Sequence, residues 1–109
     1  QLFNGIVNDS TTLEQLEVVK NNLNNEGKKY LQGLFDKKLD AILSINNSLS
    51  GVSAIAKYPT LTVPMGYRKT GEPRSLTFTG KPFTERNLLK VGYAFEQLTK
   101  ARKIPKNYQ

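Results

Sequence analysis

Two periodicities run along this chain, and the places where one gives way to the other mark its elements. Ser75-Leu76-Thr77-Phe78-Thr79 alternates with period two and is closed by Gly80-Lys81-Pro82, the pattern of a half-buried strand that leaves by a turn. Before it, Tyr58-Pro59-Thr60-Leu61-Thr62-Val63-Pro64-Met65-Gly66 is a β-branched run between two prolines. Pro59 holds Tyr58 extended, and Pro64 lacks the N–H of an interior ladder position, so this strand is expected to stop near Pro64. Lys69-Thr70-Gly71-Glu72 turns the chain between the two runs and predicts an antiparallel hairpin. After Thr84 and Glu85 the period becomes helical, with Leu88, Val91, Phe95 and Leu98 three and four apart and Ile104-Pro105 beyond the end.

The first part of the chain carries a weaker helical period. Gln1 to Ser10 predicts irregular chain with one apolar patch, Leu2-Phe3 and Ile6-Val7, that needs a partner surface. Thr11 followed three residues later by Glu14 is a capping-box pattern, and Leu13, Leu16, Val19 and Leu23 give one side of a short helix. Asn21, Asn22, Asn24 and Asn25 compete for backbone hydrogen bonds, so a break is expected between Asn25 and Gly27. A second helix follows from Glu26 or Gly27 to Lys38, with Tyr30, Leu31, Leu34 and Phe35 on one side.

Leu39 to Ile45 is short and mostly apolar, as for a buried strand, and Asn46-Asn47-Ser48-Leu49-Ser50-Gly51 is a polar loop. Gly51 to Lys57 predicts a short helix with Val52, Ile55 and Ala56 inward. The expected order is helix, helix, strand, short helix, strand, strand, long helix. Its helical crossover suggests that the first two strands are a parallel pair. The fold class is therefore α/β, a small mixed sheet of about three strands packed by helices. Such a sheet has two open edges and one face that is hard to cover, which reads as the rim of a larger sheet.

Composition narrows the chemistry. The 109 residues contain no Cys and no His, which removes disulfides, thiol nucleophiles, the usual zinc sites and imidazole acid/base catalysis. The acidic residues are scattered, without calcium-loop spacing, and no cofactor or metal is expected. No apolar run is long enough to span a bilayer, so a soluble, cytoplasmic protein is expected. The net charge of +7 sits in the second half: five Lys meet six Asp or Glu up to Ala56, against eleven Lys or Arg and three Glu from Lys57 on. One reading is a face for nucleic acid or an anionic surface; the other is a solvated face with a basic tail, Lys100, Arg102, Lys103 and Lys106, beside a helix C-terminus. Ser48, Ser50 and Ser53 near Lys57 leave a Ser-Lys pairing open by spacing.

Taken together, Leu39-Asp40-Ala41-Ile42-Leu43, Ala54 to Gly66, Gly71-Glu72-Pro73, Phe78-Thr79-Gly80-Lys81-Pro82-Phe83-Thr84-Glu85, Leu88-Leu89 and Tyr93-Ala94-Phe95-Glu96-Gln97 resemble the C-terminal end of the amidase signature family of serine hydrolases. The resemblance covers about two thirds of the chain and rests on the order and spacing of the blocks. It implies that residues 1–109 are the C-terminal part of an amidase domain, with 1–38 a helical lead-in and 39–109 the sheet and C-terminal helix. Enzymes of this family cleave carbon–nitrogen amide bonds with a serine, a second serine in a cis peptide and a lysine. All three lie before the region matched here, and this chain has no Gly-Gly-Ser-Ser-Gly segment.

The resemblance therefore implies no catalytic residue in this chain. It makes Asn46 and Asn47 candidates to border the substrate pocket, their amides reaching a substrate amide. Many members carry Pro-Thr near this point, and Ile45-Asn46-Asn47 departs from that. Implied partners are the remainder of the amidase chain and, in the intact enzyme, a small amide substrate. The alternative that remains is a small basic binding module, or a piece that pairs with a second copy through its exposed sheet edge.

Overall fold

Three strands and four helices make up the computed structural model, which describes residues 2–104. Helix α1 (Leu2–Val7) and helix α2 (Leu13–Phe35) precede strand β1 (Ile42–Ile45). Helix α3 (Ser50–Ala56), strands β2 (Thr60–Tyr67) and β3 (Pro73–Thr79), and helix α4 (Glu85–Thr99) follow. The expected α/β class holds. Pro105 and Lys106, named above as a stop and a tail cation, lie outside the described residues.

The sheet order is β1-β3-β2, and every pairing is antiparallel. This corrects the expected parallel pair. Strands β1 and β2 do run in the same direction, as a helical crossover requires, but β3 lies between them and bonds to both. The predicted hairpin is present: the Gly71 N–H donates to the Arg68 carbonyl, Gly71 takes a positive φ of 88°, and Arg68 and Glu72 form an ion pair at 2.9 Å. Pro64 does not end β2. The strand lies at an edge, where a missing N–H costs no ladder bond, and a bulge between Pro64 and Gly66 carries it on to Tyr67.

Register places Leu43, Phe78 and Leu61 in one row and Ile45, Leu76 and Val63 in the next, all on the same face. Helix α4 lies on that face, and Val63, Phe78 and Leu88 form the core, with Leu61, Leu76, Phe95 and Ala41 around it. Gly92 brings helix and strand together, because a Cβ there would overlap the Leu61 side chain. Phe78 meets Phe95 edge to face, with 5.9 Å between ring centres. The helix packs chiefly on β2 and to a lesser extent on β3. Leu43 and Ile45 on β1 stay about half exposed, so the fully buried strand expected from Leu39 to Ile45 is a four-residue strand with one open face.

The opposite face is lined by hydroxyls. Thr77 and Thr79 are buried, Thr62 and Thr77 bond at 2.8 Å, and Ser53 from α3 lies 3.4 Å from Thr79 Oγ1. Of the three α3 residues expected inward, Ala56 is buried, Val52 partly so, and Ile55 stays 40% exposed; Ser53 takes the second buried place.

Helix α2 is continuous where a break was expected. Asn24 directs its side-chain amide away from its own helix and donates to the Ile55 carbonyl at the end of α3, at 2.7 Å. Gly27 sits beside Ala56 and Ile55 at the contact between the two helices. Asn24 and Gly27 thus both lie at the contact between α2 and α3. The start of α2 is one residue later than predicted: Thr12 is the N-cap, and Gln15 closes a reciprocal capping box. Thr11 instead binds Asp9, and its hydroxyl, then its N–H, hold the Asp9 carboxyl below the usual carboxylate range. Residues expected to be irregular form α1, whose Phe3, Ile6 and Val7 are exposed.

Only the last turns of α2 are buried, at Leu31 and Phe35; Leu13, Leu16, Val19 and Leu23 face solvent. The radius of gyration is 17.9 Å, whereas a closed domain of this length has about 13 Å. Among the described residues, no helix is long and apolar enough to cross a membrane.

Candidate functional site

Strands β1 and β2 end, and β3 begins, at one end of the sheet, and the loops gathered there hold the candidate side chains. Asn46 follows Ile45 directly and takes a left-handed backbone, φ 53°, which asparagine tolerates better than most residues. Its N–H donates to the Ser75 carbonyl at 2.8 Å. Its side-chain Oδ1 accepts the Ser75 N–H at 3.0 Å, and its carbonyl accepts the Thr77 hydroxyl. Because a backbone N–H can only donate, the amide orientation is fixed: Oδ1 faces β3. Asn46 therefore extends the β1–β3 ladder by one residue, half with its backbone and half with its side chain. Its Nδ2 makes no hydrogen bond among the described residues.

Asn47 is exposed, and its carbonyl accepts the Ser50 N–H at 3.0 Å as the chain enters α3. The two asparagines are neighbours on one loop but do different things. Asn46 is committed to the sheet; Asn47 presents its amide to solvent.

The serines near Lys57 do not assemble into a nucleophile and base. Buried Ser53 donates to the Leu49 carbonyl one turn back, at 3.1 Å, and Lys57 is exposed at the left-handed end of α3. The Lys57 ammonium makes no hydrogen bond to a serine hydroxyl among the described residues; its backbone N–H instead caps α3 on the Ala54 and Ser53 carbonyls. Around this end Phe35 and Tyr58 stack at 6.0 Å, and Lys81 lies 5.7 Å over the Phe35 ring. No cluster of three or more metal-ligating side chains occurs among the described residues.

Next to this loop, a cleft of about 500 Å³ runs along Thr62 to Tyr67 and Pro73 to Ser75, and is closed by Arg102 and Lys103. It is joined to Asn46 through Ser75. Tyr67 fixes its far wall: the hydroxyl donates to the Lys103 carbonyl and accepts the Lys103 N–H, both at 3.0 Å. Of this group the sequence singles out Arg102 and Lys103, through the basic tail, but not Tyr67 or Arg74. The signal for Arg74 is a long cation inside a strand otherwise made of hydroxyl and apolar residues.

No protein-family model matches the chain. A probable amidase of Arabidopsis thaliana is 45% identical over 71 residues, which is 65% of this chain and 14% of that protein. One subunit of the glutamyl-tRNA(Gln) amidotransferase of Thermodesulfovibrio yellowstonii is 36% identical over 66 residues, 61% of this chain and 12% of that polypeptide. Among solved structures, an amidase family protein from Bacillus anthracis superposes with a TM-score of 0.85 at 43% identity, over 90% of this chain and 20% of that one. The chain thus spans about a seventh of the Arabidopsis relative's length and a fifth of the Bacillus chain.

Proposed function

We infer, from the premise that this chain belongs to the amidase signature family and matches a C-terminal stretch of it, that it is the supporting wall of an amide-cleaving enzyme. In this reading residues 1–109 are part of one amidase domain, 1–38 the helical lead-in and 39–109 the sheet and closing helix. The catalytic serines and lysine belong to the remainder of the amidase. The chemistry is proposed at the level shared by an amidase and an amidotransferase, the opening of a carbon–nitrogen amide bond.

The observation that carries this reading is the uncovered apolar surface. Leu43 and Ile45 on β1, Leu13 to Leu23 on α2, and Phe3 to Val7 on α1 form faces that need a partner. The remainder of an amidase sheet would supply it. The unpaired Ser-Lys geometry supports the same division of labour. At the pocket, Asn47 and the free Nδ2 of Asn46 are the groups that would meet a substrate amide.

The test is a chimera of the Bacillus anthracis amidase family protein whose matched segment is replaced by this chain. The chimera is expected to hydrolyse simple amides, while the purified chain alone releases no ammonia. Asn46→Asp keeps the Oδ1 acceptor for Ser75 and removes Nδ2; together with Asn47→Ala it is expected to raise KM and leave kcat nearly unchanged. Amide turnover by the isolated chain that vanishes in Ser50→Ala or Lys57→Ala would overturn the reading.

A further inference from the structure

Three cations converge at the hairpin end of the sheet without an acid among them. Arg74 stands at the start of β3 opposite Gly66, just beyond the bulge, and Arg102 and Lys103 close the cleft from the segment after α4. The ion pairs among the described residues are Lys20 with Glu17 and Arg68 with Glu72, so the nearest carboxylate on the hairpin, Glu72, is already engaged. The carbonyl end of α4 accounts for cations at 102 and 103, since basic groups are stabilised there. It does not account for Arg74, which stands on the strand.

Arg74 adds a second, independent sign. Its Nε is buried and has no hydrogen-bond partner among the described residues, and a buried N–H left unpaired is destabilising until something supplies an acceptor. Arg74 itself lines the cleft, and a guanidinium is a planar fork that receives two oxygens side by side. The cleft in front of it, about 500 Å³, is of a size that holds a small organic ligand. Val63, Pro64, Tyr67 and Pro73 give it an apolar wall. The two Tyr67 bonds to Lys103 hold the wall in place before any ligand arrives.

We propose that Arg74, Arg102 and Lys103 bind an oxyanion, a phosphate or carboxylate group carried on a small molecule, in the cleft at the hairpin end of the sheet. Arg74 grips the oxygens through its fork, while Arg102 and Lys103 supply charge from the opposite wall. This site does not depend on the amidase reading, because it involves none of the residues proposed to meet the substrate amide.

The test is amide NMR of the 109-residue chain titrated at constant ionic strength with inorganic phosphate, pyrophosphate and succinate. Saturable shifts are expected at Gly66, Arg74, Ser75 and Lys103. The phosphate and succinate arms show which oxyanion class is preferred. Arg74→Lys keeps the charge and loses the fork, and should weaken binding about tenfold. Arg102→Gln with Lys103→Gln, both exposed and expected to fold, should weaken it as well. Lys28→Gln with Lys29→Gln, on α2, should change nothing. Absence of saturable shifts, or equal weakening by the Lys28 and Lys29 pair, would overturn the proposal; the second result would show general charge attraction.

Discussion

Helices α4 and α2 are both amphipathic by spacing, yet one lies on the sheet and the other leaves most of its apolar side in solvent. Helix α4 buries Leu88 and Gly92 against β2 and β3, with Phe95 packed beside them. Helix α2 is eight residues longer and buries only Leu31 and Phe35. A helical stripe of leucines and valines reports that a partner surface exists. It does not report whether that surface belongs to the same chain.

Three experiments press on this difference. Leu88→Ala removes the side chain that joins α4 to Val63 and Phe78, and should cost about 2–5 kcal/mol, read as a lower urea midpoint. Gly92→Ala forces a methyl against Leu61 and should cost about 1–3 kcal/mol. Leu61→Ala should relieve part of that cost, since the obstructing atom belongs to its side chain. Leu16→Gln with Val19→Gln, on the uncovered half of α2, should stay within about 0.5 kcal/mol in the isolated chain. In the Bacillus chimera the same pair should lower soluble yield, because there the face is expected to be covered.

Much of the fold is legible where local chemistry decides. The Gly71 turn, the alternation of Ser75 to Thr79 and the α4 start after Thr84 are all present. Misread features are those settled by contacts distant in sequence. Asparagines and Gly27 look like a helix break until Ile55 and Ala56 arrive beside them. Pro64 looks like a strand end until its strand proves to be an edge.

The candidate site is legible only in part. Asn46 stands out in the sequence because it follows a strand, and the structure has it directly after β1. Its bonds to Ser75 and Thr77 depend on the insertion of β3 between β1 and β2, which no local pattern reveals. Arg74 and Lys103 line one cleft across which Tyr67 binds the chain after α4, a pairing distant in sequence.

That insertion also sets an order of assembly. Ile42 meets Thr79, and Ile45 meets Leu76, whereas Tyr67 meets Pro73 across a tight turn. Within the described residues β1 pairs only with β3, so the closure entropy of its long loop is repaid once the hairpin offers that edge. Of these three strands, the last in sequence is thus the one that organises the other two.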